Sequence, residues 1–153
     1  MNFKDSVTIP CDRATVWSAL NDPGVLRQCI PGCEELEQQT ADHMTAKVSL
    51  KIGPIKARFT GAVDLTDIKP PESYVLSGEG KGGIAGFAKG SAHVRLEETG
   101  PLETVLHYEA AADVGGKVAQ LGSRLLDSTA KKLARQFFDD FQAVVTASKA
   151  EPQ

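Results

Sequence analysis

The side chains able to do chemistry in this chain are few and scattered. Its three histidines, His43, His93 and His107, form no H-x-H or H-E-x-x-H pattern, so they lack the close spacing that holds a metal ion. His93 and His107 fall on the polar side of their strands, opposite Val94 and Leu96 in one case and Leu106 and Tyr108 in the other; His43 sits at a turn or strand edge. All three read as solvated surface groups. Cys11, Cys29 and Cys33 are odd in number, and Cys29 and Cys33 have no Cys or His pair downstream at ligand spacing. They read as free thiols of a reducing compartment. Ser91 has no evident base and no G-x-S-x-G around it. The polar residues expected to face inward are Asp5, Glu79, Thr129 and Tyr108, with no paired carboxylates among them. This inventory names no catalytic residue and no metal set. It suits a container for something apolar better than an enzyme.

The stretch Gly78 to Ala92, GEGKGGIAGFAKGSA, opens with G-x-G-x-x-G. A dinucleotide fingerprint works because its last glycine opens a helix whose N-terminus meets the pyrophosphate. Here the stretch joins two strands and no helix comes after it. A P-loop is excluded as well, because Lys89 is followed by Gly90. The glycines are expected to permit turns and kinks where a sheet bends sharply. A second role is compatible with that: a side-chain-poor gate or partner contact at a cavity mouth, made by Gly80, Gly83, Ile84 and Phe87, with Ile84 and Phe87 as apolar tips.

The elements that must position these residues are set by periodicity. Phe3, Val7 and Ile9 alternate with polar residues in a first strand, where only Asp5 breaks the apolar side. Asp12 is a candidate N-cap for a helix carrying Val16, Trp17 and Leu20, and VLRQCI adds a short turn before Pro31-Gly32. From Met44 to Val114 the apolar period is two, with turns at Gly53-Pro54, KPPES and TGPLE, the signature of an antiparallel meander. From Gly116 Val118, Leu121, Leu125, Leu133, Phe137, Phe141 and Val144 recur at helical spacing. They predict one continuous helix of about 30 residues, roughly 45 Å long. Its basic residues alternate with Asp127, Asp139 and Asp140, which predicts a solvated outer face. A sheet with one apolar face must cover it, and only this helix is long enough. The expected class is therefore α+β: a curved antiparallel sheet of about seven strands wrapped on a long C-terminal helix, with two short helices after the first strand. Residues 1–148 are expected to form one domain and 149–153 a frayed tail. Small residues on the inner face (Ala46, Ala57, Gly61, Ala110, Ala112) favour a hollow between sheet and helix. Its expected lining is Val48, Leu50, Phe59, Val63, Leu76 and Tyr108 from the sheet and Leu121, Leu125 and Phe137 from the helix.

At 153 residues and a net charge of −3, the chain lacks the basic footprint of a nucleic-acid partner. Neither a signal-peptide run nor an apolar stretch of membrane-spanning length is present, so a cytoplasmic location is expected.

Three blocks carry a resemblance: NDPGVLRQCIPGCEELE, the segment from GPIKARFTGAV through GEGKGG to AHVRLEE, and YEAAADVGGKVAQLGSRLLDSTAKKLARQFFDDF. They resemble the family of the CoxG subunit of carbon monoxide dehydrogenase, within the START-like (SRPBCC, pathogenesis-related-protein-like) helix-grip superfamily. The resemblance implies a non-enzymatic accessory protein of a molybdenum-containing carbon monoxide dehydrogenase-like oxidoreductase, or of a related xanthine-oxidase-type hydroxylase. It also implies a lipophilic ligand, a quinone or lipid, in the cavity and a link to the inner face of the cytoplasmic membrane. No cofactor is implied beyond such a ligand. Family members credited with membrane attachment often carry an apolar C-terminal extension, whereas this sequence stops at SKAEPQ. Membrane contact is therefore expected to be transient and made by the folded domain. Two alternatives stand beside the carrier. One is a small cyclase- or hydrolase-type enzyme using Tyr108 with Asp5 or Glu79; the other is a ligand-free docking module presenting Ile84 and Phe87.

Overall fold

The computed structural model describes residues 1–150. Seven strands form one antiparallel sheet in the order β1-β7-β6-β5-β4-β3-β2. They are β1 Asn2–Ile9, β2 Cys33–Thr40, β3 His43–Ile52, β4 Ile55–Lys69, β5 Ser73–Lys81, β6 Phe87–Gly100 and β7 Glu103–Gly115. Two short helices, α1 Arg13–Leu20 and α2 Pro23–Cys29, come after β1, and the long helix α3, Ser123–Ala150, ends the described chain. The α+β architecture expected above, with its two short helices and its long C-terminal helix, is the one observed. Residues 149 and 150 of the expected tail belong to α3, and 151–153 lie outside the described residues.

Local chemistry explains the boundaries. Asp12 caps α1: its carboxylate accepts from the Thr15 amide at 3.1 Å and from the Thr15 hydroxyl at 2.7 Å. Asp22 does the same for α2, accepting from Gly24 N at 2.8 Å, with Pro23 opening the helix where its missing N–H is not needed. The continuous C-terminal helix expected from Gly116 is interrupted. Lys117–Leu121 is a 3-10 turn, and Gly122, at φ +90°, breaks the path before α3 begins. Left-handed backbone at that glycine is compatible with the apolar spacing around it, which is why periodicity alone runs straight through the break. The helix beyond the break has 28 residues, about 42 Å of length.

β2, CEELEQQT, has almost no apolar alternation and is mostly exposed. It is an edge strand held by side chains as well as by its ladder with β3. Glu34 takes a two-pronged bond from Arg58 on β4 (Nε and Nη2, both 3.0 Å) and a further bond from the Ser49 hydroxyl on β3. These contacts hold the Glu34 carboxyl below its usual range.

The buried side chains fall into two groups. The larger unites Ile9, Val16, Tyr74, Leu96, Leu106, Phe141 and Val145, joining the sheet to all three helices. Thr104 is fully buried within this region, and its hydroxyl donates to the Cys11 carbonyl at 2.8 Å. The smaller lies at the other end of the sheet, where Ile52, Ala85 and Val118 pack with Leu50, Ile55, Phe59 and Leu121. Between the two, the inner face is made of small residues. Register aligns Ala46, Gly61, Gly80 and Ala88 in one cross-strand row, and Gly78, Gly90 and Ala112 in the next.

Two groups of the larger core titrate abnormally. Burial, with Asp140 adding to it, pushes the Cys29 thiol from 9.0 to about 11, and burial pushes Tyr74 from 10.0 to about 12. Both hold their protons more tightly in the fold than in the unfolded chain. Their contribution to stability is therefore complete below pH 9 and is lost as pH rises towards 12. The urea midpoint, followed through the fluorescence of Trp17, should fall as pH rises above 9, and Cys29→Ala should flatten the part between 9 and 11. An equally steep fall in Cys29→Ala contradicts this assignment. Phe141 is fully buried where α3 meets the larger core. Phe141→Ala should cost about 3–5 kcal/mol in the same urea titration; a loss below about 1 kcal/mol would show that α3 is not held there.

Candidate apolar cavity

The larger core does not close completely. A cavity of about 300 Å³ lies between the inner face of the sheet and the helices. Its floor comes from alternate residues of β3 to β7, among them Met44, Val63, Leu76, Ala92 and Leu106. Its walls are Leu20 at the end of α1, Leu26 of α2 and Ile30 just beyond it, and Leu36, the one inward apolar residue of edge strand β2. Its roof is Phe137 and Phe138 of α3.

The roof is built to stand off the floor. Phe137 stacks on Phe141 at 5.9 Å between ring centroids and meets Phe138 edge-on at 5.1 Å. Phe138 in turn stacks on Tyr108 of β7 at 5.5 Å. Three bulky rings on adjacent turns of α3 thus set its height over the sheet, while the floor beneath carries Ala46 and Ala92.

No Asp, Glu, Lys, Arg or His among the described residues lines the cavity. Thr45 reaches its edge, but the Thr45 hydroxyl accepts from Gln39 Nε2 at 3.1 Å. The polar groups left are the hydroxyls of Tyr74 and Tyr108. Burial, and then the neighbouring Asp5 carboxylate, raise the Tyr108 pKa. No group of three or more His, Cys, Asp or Glu side chains suited to a metal ion occurs among the described residues. The arrangement can enclose an apolar molecule and offer it hydroxyl donors. It presents no nucleophile and base within reach of each other.

The structure divides the nine expected lining residues. Val63, Leu76, Tyr108 and Phe137 meet around the cavity. Leu50, Phe59 and Leu121 belong to the smaller cluster at the far end, Leu125 packs against the Gly53 turn, and Val48 is half-buried on β3 opposite Phe59. Leu20, Leu26, Ile30, Leu36, Tyr74 and Phe138 were not in that set. Tyr74 was readable, since it shares the face of Leu76 by alternation. Leu26 and Ile30, one helical turn apart, also carried a signal. Of the inward polar candidates, Asp5 and Glu79 are exposed and Thr129 is half-buried. The histidines sit on the surface, two of them beside carboxylates: His43 Nδ1 is 2.6 Å from Asp64 and His107 Nε2 is 2.8 Å from Glu97.

The glycine-rich segment forms a 3-10 turn, Gly83–Ala85, between β5 and β6. Gly82 N donates to Gly86 O at 2.8 Å, and Ala85 is buried in the smaller cluster, so the turn is pinned from below. Gly82 allows a close approach: a Cβ there would lie 2.6 Å from the Phe59 ring and would displace it. Gly80 remains in β5, paired with Gly61 and Ala88. Gly83 occupies left-handed backbone at φ +61° and places Ile84 at the tip, 89% exposed, beside Phe87 at 46%.

This geometry has counterparts. The chain is similar to a conserved protein from Geobacillus kaustophilus, with 36% identity over 97% of each chain and a TM-score of 0.91. It has the fold of a START superfamily protein from Mycobacterium smegmatis (TM-score 0.73, 13% identity, 95% of this chain and 97% of that one). The Zhui aromatase/cyclase from Streptomyces sp. R1128 shares the fold as well (TM-score 0.67, 13% identity, 95% and 93%). No curated protein matches in sequence. The family model that matches, over residues 6–146, is that of the CoxG subunit of carbon monoxide dehydrogenase. A helix-grip fold of START type and a family match across almost the whole chain lead to one statement: the protein belongs to the CoxG family of carbon monoxide dehydrogenase subunits.

Proposed function

We propose that this protein is a non-enzymatic carrier that holds a lipophilic molecule, a quinone or a lipid, between α3 and the sheet. Its client is a molybdenum-containing carbon monoxide dehydrogenase-like oxidoreductase, which it links to the membrane or the quinone pool. The observation that carries the reading is the cavity of about 300 Å³ with no charged residue in its lining. Each methylene transferred from water into such a space contributes about 0.8 kcal/mol, enough for firm binding without many polar contacts. The lining favours binding over cyclisation or hydrolysis, because it holds no carboxylate, imidazole or amine to take or give a proton. Family membership supports the client.

No helix among the described residues is long and apolar enough to cross a membrane. Contact with the bilayer or the client is assigned to the Gly83–Ala85 turn, where Ile84 projects from a pinned base. Apolar side chains this exposed at a rigid tip are suited to a brief encounter with another apolar surface.

An organic extract of the purified protein, examined by mass spectrometry, should contain about one neutral lipid or quinone per chain. Ala92→Phe, which fills the cavity from its floor, should remove that molecule while leaving the circular dichroism unchanged. An extract with nothing stoichiometric, or equal ligand in a folded Ala92→Phe, contradicts the carrier.

A further inference from the structure

Tyr74 is the more deeply buried of the two cavity tyrosines, and the architecture leaves its hydroxyl unexplained. Its side chain lines the cavity and is only 5% exposed, yet its hydroxyl makes no hydrogen bond among the described residues. Buried tyrosine hydroxyls ordinarily find a partner, since a buried donor without one costs about 1–3 kcal/mol. No side-chain oxygen or nitrogen among the described residues is sealed away without a partner, so this hydroxyl still borders free space. The ring around it is fixed. Trp17 of α1 meets it edge-on, with centroids 5.4 Å apart and an interplanar angle of 82°, and cross-strand pairing sets Tyr74 beside Val94 on the floor. On the next strand Val94 pairs with Tyr108. The two tyrosines therefore share one row of the inner face, roughly 10 Å apart at the backbone.

We propose that Tyr74 is the recognition group of the cavity, donating its hydroxyl hydrogen to an oxygen of a neutral ligand, so that the site selects lipophiles bearing a carbonyl or comparable acceptor. This rests on the carrier reading above and specifies its ligand class. The charge inventory supplies the other half of the selectivity. A carboxylate or phosphate inside the cavity would have no cation to pair with, and an amine would have no anion, because no charged side chain lines the space. An uncompensated charge there is strongly unfavourable. Fatty acids and whole phospholipid headgroups are thereby rejected, while neutral ketones, quinones and esters are accepted. Tyr74 stays a donor across the physiological range, since its burial keeps the hydroxyl protonated. A donor held ready by Trp17 also loses little freedom when the ligand arrives.

Three probes of one shape separate the terms: 1-acetylnaphthalene with a carbonyl, 1-isopropylnaphthalene without one, and 1-naphthoate with a charge. Affinities are measured by calorimetry on the intact protein and on Tyr74→Phe, after any co-purified lipid has been stripped. The ketone should bind about 5- to 30-fold more weakly to Tyr74→Phe, the loss expected for one buried hydrogen bond. The hydrocarbon should change less than about 2-fold, and naphthoate should bind neither protein measurably. Equal losses for ketone and hydrocarbon, or no loss for the ketone, overturn the role of Tyr74 and leave the carrier standing. Naphthoate binding as tightly as the ketone overturns the selection of neutral ligands. Failure of both neutral probes to bind the intact protein overturns the cavity as a binding site and this inference with it.

Discussion

One long helix has to stand over the apolar face of a seven-stranded sheet without settling onto it, and the rest of the molecule depends on how it is propped there. Protein interiors are normally packed as tightly as organic crystals, so a persistent hollow needs rigid boundaries on both sides. The floor is fixed by cross-strand hydrogen bonds along β3 to β7. The roof is fixed by the ladder of Phe137, Phe138 and Phe141, with Phe138 resting on Tyr108. Because the props are aromatic and the floor is small, the two surfaces cannot collapse onto one another. The two short helices then close the side wall, each started by an aspartate cap and, for α2, by Pro23.

The distribution of polarity obeys the same division. Charged and imidazole side chains stay outside, where His43, His107, Glu34 and Arg58 find partners across strands. The cavity receives hydrocarbon and two phenols. A site of this kind discriminates by size and charge first and by one donor second, which suits carriage of a neutral lipophile. The exposed tip is set apart from this chemistry: Ile84 is carried by the smaller cluster at the opposite end of the sheet, anchored through Ala85 and Phe59. The proposed binding cavity and the proposed docking tip thus occupy different ends of one grip.

Much of the fold was legible because period-two and helical alternation are strong signals in long elements. β3, β4, β7 and α3 all announce themselves this way. β2 did not, because an edge strand held by Glu34 and Arg58 needs no apolar face. The break at Gly122 was hidden by apolar residues that keep helical spacing on both sides of it. The cavity was only partly legible, for a definite reason. Alternation tells which face a residue occupies and is silent about where along a bent sheet that face meets the helix. Val63 and Phe59 lie on the same side of β4, yet one faces the cavity and the other packs against Gly82 in the smaller cluster. Leu26 and Ile30 show by their helical spacing that they share a face, but that this face reaches the site depends on how the short helix docks, which the spacing does not encode.

The central claim is that a neutral lipophile enters the space beneath Phe137 and Phe138. Trp17 is the chain's one tryptophan and touches Tyr74, a lining residue, so its fluorescence reports on that space. Duroquinone, a small quinone with no free ring position to react with thiols, is the direct probe. Titration should quench Trp17 saturably with one equivalent per chain, and Ala92→Phe should abolish the saturable component. Quenching that rises linearly without saturation, and equally in Ala92→Phe, would contradict the account.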